Sequence, residues 1–478
     1  MPLRILAIAI VWSIQTYGAD VVTVGINLQK LNLDPVSALN FQDYTVIDLI
    51  HEPLVYVDEE LRLVGALADR WELLEHGMKY RIHLRYGGRF SDNSEVKADD
   101  VVATFKRHLA ENSESNLKEP FSSVLADGAK SVRKINDNTV EFDLKGPYPS
   151  FLELLAFVYI LPSHYDPRHP VGAGPYKVKS LEEASLEVQR QSHSTSSDIK
   201  NFKFVLVQTN EFEDALKRGQ IDITLQAPLR LALSPPPGFE VFQSDYDLVS
   251  VFFYYNLREA RWRDRDARLF LKSLVLKARN QADFLSKFDR PLDHLMHEGI
   301  LTADYYAPVA STATNKPKNF PKSITVLAPN TFLTDRALEI LKNVFQKEGI
   351  ELKLTLGKGQ QLRDPLAKGE FDLALFPYES SLRDPDGFLF LFDPDGPLIR
   401  HFSLPTRELF SKLKKLKFGQ DQHARLFGYA QVFREMEEME VLIPYFTQKM
   451  PFLYCSRLLA PKGHSLTPLS LRYFRSKP

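Results

Sequence analysis

Polar and apolar residues alternate most clearly at residues 79–85. Tyr80, Ile82 and Leu84 fall on one side, and Lys79, Arg81, His83 and Arg85 on the other. A period of two with one wet face predicts a strand. Gly87-Gly88 permits a tight bend after it, and Ser91-Asp92-Asn93-Ser94 is turn chemistry. Asp99-Asp100 stand where a helix N-terminus favours carboxylates, ahead of Val101, Val102, Phe105 and Leu109 at helical spacing. Further strands are predicted at 21–27, 204–207, 221–223, 249–256, 324–327 and 352–356. Helices are predicted at 44–50, at 210–218 with a stop at Gly219, at 335–348 with a stop at Gly349, and at 423–439. Pro235-Pro236-Pro237-Gly238 marks a loop near a boundary between two such α/β stretches.

The bulk properties narrow the class. At 478 residues the chain is too long for one hydrophobic core, so two or three domains are expected. Lys and Arg number 60 against 61 Asp and Glu, and no basic run is interleaved with aromatics, which excludes a general nucleic-acid surface. Cys455 is the single cysteine, so no intramolecular disulfide and no CxxC metal or redox motif exists. Residues 1–19 combine one early positive charge, an apolar run at 5–14 and a short polar-to-small end. That is the pattern of a signal peptide, too short to span a bilayer, with cleavage expected after Gly18 or Ala19. No cysteine follows it for a lipid anchor. A soluble protein exported to a periplasm is therefore expected.

Catalytic chemistry is hard to find. There is no G-x-S-x-G, no H-E-x-x-H and no Walker loop, so no enzyme and no cofactor are expected. His164 and His169 flank Tyr165-Asp166-Pro167-Arg168, where the prolines favour a surface loop over a metal site. Asp384-Pro385-Asp386 and Asp393-Pro394-Asp395-Gly396 lack the ligand spacing of a calcium loop and read as turn caps. Lys412, Lys414, Lys415 and Lys417 read as a solvated helix face. No metal site is expected.

The order of the motifs carries more than any one of them. Residues 67–107 resemble the strand, glycine turn and helix start of the family 5 solute-binding proteins, the dipeptide, oligopeptide and nickel receptors of ABC importers. Leu33-Asp34-Pro35, Glu52-Pro53-Leu54-Val55-Tyr56, Gly172-Ala173-Gly174-Pro175-Tyr176, the helix at 262–278, the strand at 370–376, Asp384-Pro385 and Ile443-Pro444-Tyr445 follow in the family's order. The Gly-Ala-Gly turn lacks the third glycine of a dinucleotide fingerprint. The sequence also departs from the pattern: residues 189–197 replace an aromatic element, and residues 307–321 read as loop where relatives have a helix.

The resemblance implies an α/β fold of two hinged lobes, the class II-like periplasmic-binding-protein fold with an extra α/β subdomain. Lobe I would take residues 20–50, 163–245 and 450–478, the inserted subdomain 51–162, and lobe II 246–449. It implies a monomer that binds a small peptide or other small solute and meets an inner-membrane ABC permease. Nickel chelates and sugars remain alternative ligands, and a sensor or chaperone-like binder on the same fold remains an alternative role.

By the same resemblance, one ligand-facing edge is Leu39, Asn40 and Phe41, and the other follows Pro377 as Tyr378 and Glu379. Tyr254, Tyr255 and Asn256 stand at a strand end near the interlobe surface, with core packing as the competing reading. Peptide-binding relatives place an aspartate three residues after the aromatic, to pair with the ligand's ammonium. Here that position, after Glu379 and Ser380, is Ser381. An ammonium buried without a counter-charge costs about 3 to 5 kcal/mol. Either the ligand lacks a free amine there, or Glu379 or Asp384 replaces the aspartate, or the register slips.

Overall fold

The computed structural model describes residues 21–477 except 29, 39, 59–61, 193, 195–196, 209–210, 226–228, 244–248, 297–314, 331, 358–359, 380–381, 383, 395, 397–398, 420 and 462–469, with backbone only at 360, 379, 390 and 391. The signal-peptide reading, Leu39, Ser380 and Ser381 therefore lie outside the described residues.

Three hydrophobic cores form around three sheets. The first sheet has seven strands, in the order Tyr176–Leu181, Ser185–Arg190, Asn201–Leu206, Val21–Ile26, Ile223–Leu225, Pro451–Cys455 and Phe239–Gln243. Val21–Ile26 runs parallel to both its neighbours, and Val22, Val24 and Ile26 are fully buried. The helix Phe41–Ile50 packs beneath this sheet through Val46, Leu49 and Ile50. The Gly-Ala-Gly turn crosses the end of that helix. A Cβ on Gly172 would stand 2.1 Å from the Ile50 carbonyl oxygen, and one on Gly174 2.6 Å from that of Leu49. No other residue type allows this approach.

The second sheet is antiparallel throughout, in the order Ala68–Leu74, Lys79–Leu84, Thr139–Asp143 and Val132–Asn136. Its alternation is the one read from the sequence: Tyr80, Ile82 and Leu84 are buried and Lys79, Arg81 and His83 are not. The helix Ala98–His108 covers the apolar face with Val101 and Phe105. Its first turn is closed by Asp100, whose carboxylate accepts from the Lys97 amide at 2.9 Å. Phe105 meets Phe121 and Phe142 edge-on, with ring centroids 5.0 and 5.2 Å apart.

The third sheet has the order Asp289–Pro291, Leu442–Gln448, Val249–Tyr255, Leu373–Glu379, Ser323–Pro329 and Glu351–Gly357. The helices Arg265–Arg279 and Asp335–Lys347 join its core. The first of these was expected to begin at Trp262. It begins later because Asp264 caps it by accepting from the Asp266 amide at 3.1 Å. Trp262 instead donates its indole N–H to Asp372 at 2.8 Å.

The first and third sheets define two lobes. The chain passes between them after Gln243 and again across Lys449 and Met450, which separate Leu442–Gln448 from Pro451–Cys455. The two-residue crossing at Lys449 and Met450, joining separate cores, is the geometry of a hinge. No helix of the described residues is long and apolar enough to cross a membrane.

Candidate functional site

A cavity of about 890 Å³ opens between the lobes, and all three cores contribute to its walls. Phe41 and Tyr44 come from the first turns of Phe41–Ile50. Tyr148, Leu154, Phe157 and Tyr159 come from the end of the inserted subdomain. Tyr378, Leu389, Phe410 and Phe418 come from lobe II.

Along one wall of the cavity, which Ser123, Tyr148, Asp386 and Lys417 help to line, the lobes are joined by a buried polar network. The Tyr148 hydroxyl donates to Asp386 Oδ2 at 2.6 Å, and the Tyr429 hydroxyl donates to Asp386 Oδ1 at 3.3 Å. Lys417 Nζ lies 3.6 Å from Asp386 Oδ2 and donates to Ser123 Oγ at 2.6 Å, so it bridges lobe II to the inserted subdomain. The same ammonium stands 5.4 Å from the centroid of the Tyr148 ring. Burial, and then the Asp386 carboxylate, push the Tyr148 phenol well above its ordinary range. Tyr148 therefore stays protonated and remains a donor at any physiological pH. Phe418 follows Lys417 into the inserted core, and a Cβ on Gly146 would meet its ring at 2.9 Å. Glycine at 146 lets the two lobes close to this distance.

Asp384 is held just as firmly. Its carboxylate accepts from the Asp386 amide at 2.9 Å and pairs with the guanidinium of Arg425. Burial is the largest influence and works against the Arg425 charge, but the Asp384 hydrogen bond together with the charges of Asp384 and Asp386 outweighs it, and the guanidinium is held above its ordinary value.

The sequence-derived candidates separate into groups. Phe41 and Tyr378 both line the cavity, one from each lobe. Phe41 stacks on Phe452 at 5.6 Å, and Tyr378 packs on Phe388 at 5.2 Å while its hydroxyl donates to the Gly387 carbonyl. Asn40 is the exposed residue that precedes the helix, and it donates to Asp43 at 3.1 Å. Glu379 ends its strand, paired through the backbone with Val249. Asp384 is buried in its pair with Arg425 and is absent from the cavity walls.

Tyr254, Tyr255 and Asn256 are corrected. They are 1%, 0% and 0% exposed and belong to the lobe II core. Tyr254 stacks on Phe402 at 4.6 Å, Tyr255 donates to the Arg268 carbonyl at 2.8 Å, and Asn256 donates to the Phe371 carbonyl at 2.9 Å. The strand Val249–Tyr255 is buried at every position because other strands flank it on both sides and its two faces are covered. An unbroken apolar run is the signature of such a strand. The lysine cluster is corrected too. Lys412, Lys414 and Lys415 are exposed, but Lys417 is only 7% exposed and points into the interlobe network. His164 and His169 sit on an exposed loop.

The sequence reading missed Tyr148, Tyr159, Lys417 and Phe418. Only Phe418, an aromatic closing a basic run, carried a local signal.

The family model for bacterial extracellular solute-binding proteins, family 5, matches residues 62–278. That match spans a little under half of the chain, and it covers the strand, glycine turn and helix start at 67–107. It is 36% identical over 176 residues to the peptide transport periplasmic protein SapA of Salmonella typhimurium, covering 31% of this chain and 32% of that one. The aligned stretch thus spans about a third of that relative's length. Among solved structures, the ABC transporter substrate-binding protein CtaP of Listeria monocytogenes superposes with a TM-score of 0.80 at 18% identity, covering 96% of this chain and 99% of that one. NikZ of Campylobacter jejuni in complex with Ni(L-His) gives the same TM-score, identity and coverage. At that identity these likenesses establish the fold alone: two lobes of a periplasmic binding protein.

Proposed function

We propose that this chain is a family 5 solute-binding protein, the substrate-binding component of an ABC importer. It closes two lobes around a peptide or peptide-like solute in the periplasm and presents it, as a monomer, to an inner-membrane permease. The observation that carries the reading is the interlobe cavity of about 890 Å³ with walls from both lobes. Its volume falls within the roughly 300–1,000 Å³ typical of small-ligand sites. A ligand touching both lobes favours the closed arrangement by its contacts with each. The name of SapA supports a peptide cargo, whereas the Ni(L-His) bound to NikZ supports a small chelate as the second reading. The polar network along the cavity wall serves closure, not catalysis: Asp386 already holds Lys417, Tyr148 and Tyr429.

Native mass spectrometry of the protein purified from its own periplasm tests this. A discrete small-molecule adduct is expected, its fragments giving amino-acid residues. An adduct of metal and free amino acid would replace the peptide reading with the second one. A protein that never carries a solute, and whose deletion leaves uptake unchanged, would contradict both.

A further inference from the structure

We infer that the solute is apolar: the chamber takes aliphatic or aromatic groups, and the acidic loop at 384–386 does not receive a ligand ammonium. The inference rests on the reading of the interlobe cavity as the ligand site.

Three observations lead there. Phe41, Leu154, Phe157, Leu389, Phe410 and Phe418 supply the larger apolar side chains of the chamber surface, beside the uncharged polar Asn116, Ser122 and Ser123. The tyrosines in its walls offer rings more than hydroxyls, because each phenol already donates to a protein acceptor. Tyr44 donates to the Ala38 carbonyl at 3.1 Å, Tyr148 to Asp386 at 2.6 Å, Tyr159 to Asp48 at 3.4 Å, and Tyr378 to the Gly387 carbonyl. The carboxylates of the acidic loop are occupied as well. Asp386 holds Lys417 and two phenols, and Asp384 holds Arg425.

The remaining charges do not reverse this. Among the described lining residues, Glu119, Lys145 and Lys414 are exposed at the cavity rim, and Asp393 is half-buried. Two acids and two lysines leave the wall without a surplus charge. A cationic group entering the chamber would lose its water beside a carboxylate that is already neutralised. An aliphatic or aromatic group gains contact with six apolar side chains and displaces poorly held water.

The test uses the whole protein stripped of solute by unfolding and refolding. Four probes are titrated: N-acetyl-Phe-Phe-Phe-amide, Lys-Lys-Lys, Gly-Gly-Gly, and the neutral fluorophore N-phenyl-1-naphthylamine, which has no peptide bond. The apolar peptide is expected to bind at least about tenfold more tightly than the cationic and the featureless ones, the scale on which an apolar pocket discriminates. Phe157→Asp, at a half-buried wall position that also packs on the inserted core, is expected to abolish fluorophore binding while the circular dichroism spectrum shows that the chain still folds. If the fluorophore binds and no peptide does, the apolar chamber stands and the peptide reading falls. Tighter binding of Lys-Lys-Lys or Gly-Gly-Gly would leave the peptide reading standing and overturn this one. Failure of all four probes overturns both.

Discussion

Asp386 is a shared acceptor, and its surroundings explain why it is expensive to disturb. It is 4% exposed, and it faces one ammonium and two phenols drawn from both sides of the interlobe cleft. Asp386→Ala leaves Lys417 buried without its counter-charge, which costs about 3–5 kcal/mol. Tyr148→Phe removes one hydrogen bond to a charged acceptor, worth about 1.5–3 kcal/mol. The Tyr148 bond crosses between lobes, so its loss falls on the closed arrangement, whereas Lys417 and Tyr429 share a lobe with Asp386 and the Asp386→Ala loss falls on folding as well. Urea unfolding of Tyr148→Phe should therefore be perturbed less than solute affinity, and equal losses in both would argue against a closure role. A second residue makes a pH prediction. Burial drives the His51 imidazole down to about 3, so it is neutral in the folded chain. Above its ordinary value of 6.5 the group contributes no pH dependence. As pH falls from 6.5 towards 3 the unfolded chain takes up a proton that the folded chain refuses, and stability declines by on the order of 4 kcal/mol. His51→Gln should flatten that decline in urea midpoints between pH 7.5 and 4.5, and an unchanged slope would assign it to other groups.

At the scale of elements, the helix Phe41–Ile50 positions one cavity wall and is itself held by the C-terminal segment. Arg472 donates to Asp48 at 3.0 Å and to Glu52 at 3.2 Å, and Ser470 donates to Asp48 at 2.6 Å. Arg472→Met leaves two carboxylates without a cation and should lower stability by about 3–5 kcal/mol. A thermal shift confined to surface-mutation size would show that the segment does not hold the helix. Elements of this kind were legible where a single period governs them. The strand Lys79–Leu84 has one wet face, and the alternation is visible in the residues alone. Val249–Tyr255 has none, so a strand was readable but the direction of its tyrosines was not. Phe41 and Tyr378 could be nominated because motif order fixes their places. Tyr148 and Lys417 could not, since they are separated by hundreds of residues and meet only across a cleft. Their pairing belongs to the tertiary structure, and no local pattern encodes it.

At the scale of the molecule, two lobes meet over a cavity, with a polar network along one wall and a chain crossing at Lys449 and Met450 that joins the two sheets. On the proposed function, closure couples the solute to a permease, and the solute adds its contacts with both lobes to those of the network. The most direct test is the interlobe distance. Spin labels at Asp127→Cys in the inserted subdomain and Glu339→Cys in lobe II, both on exposed side chains, report it after Cys455→Ser removes the native thiol. Double electron–electron resonance is measured on stripped protein, then after the co-purified solute is added back. A broad distribution at long distance that narrows and shortens with solute is expected. One distribution, unchanged by the solute, would contradict it.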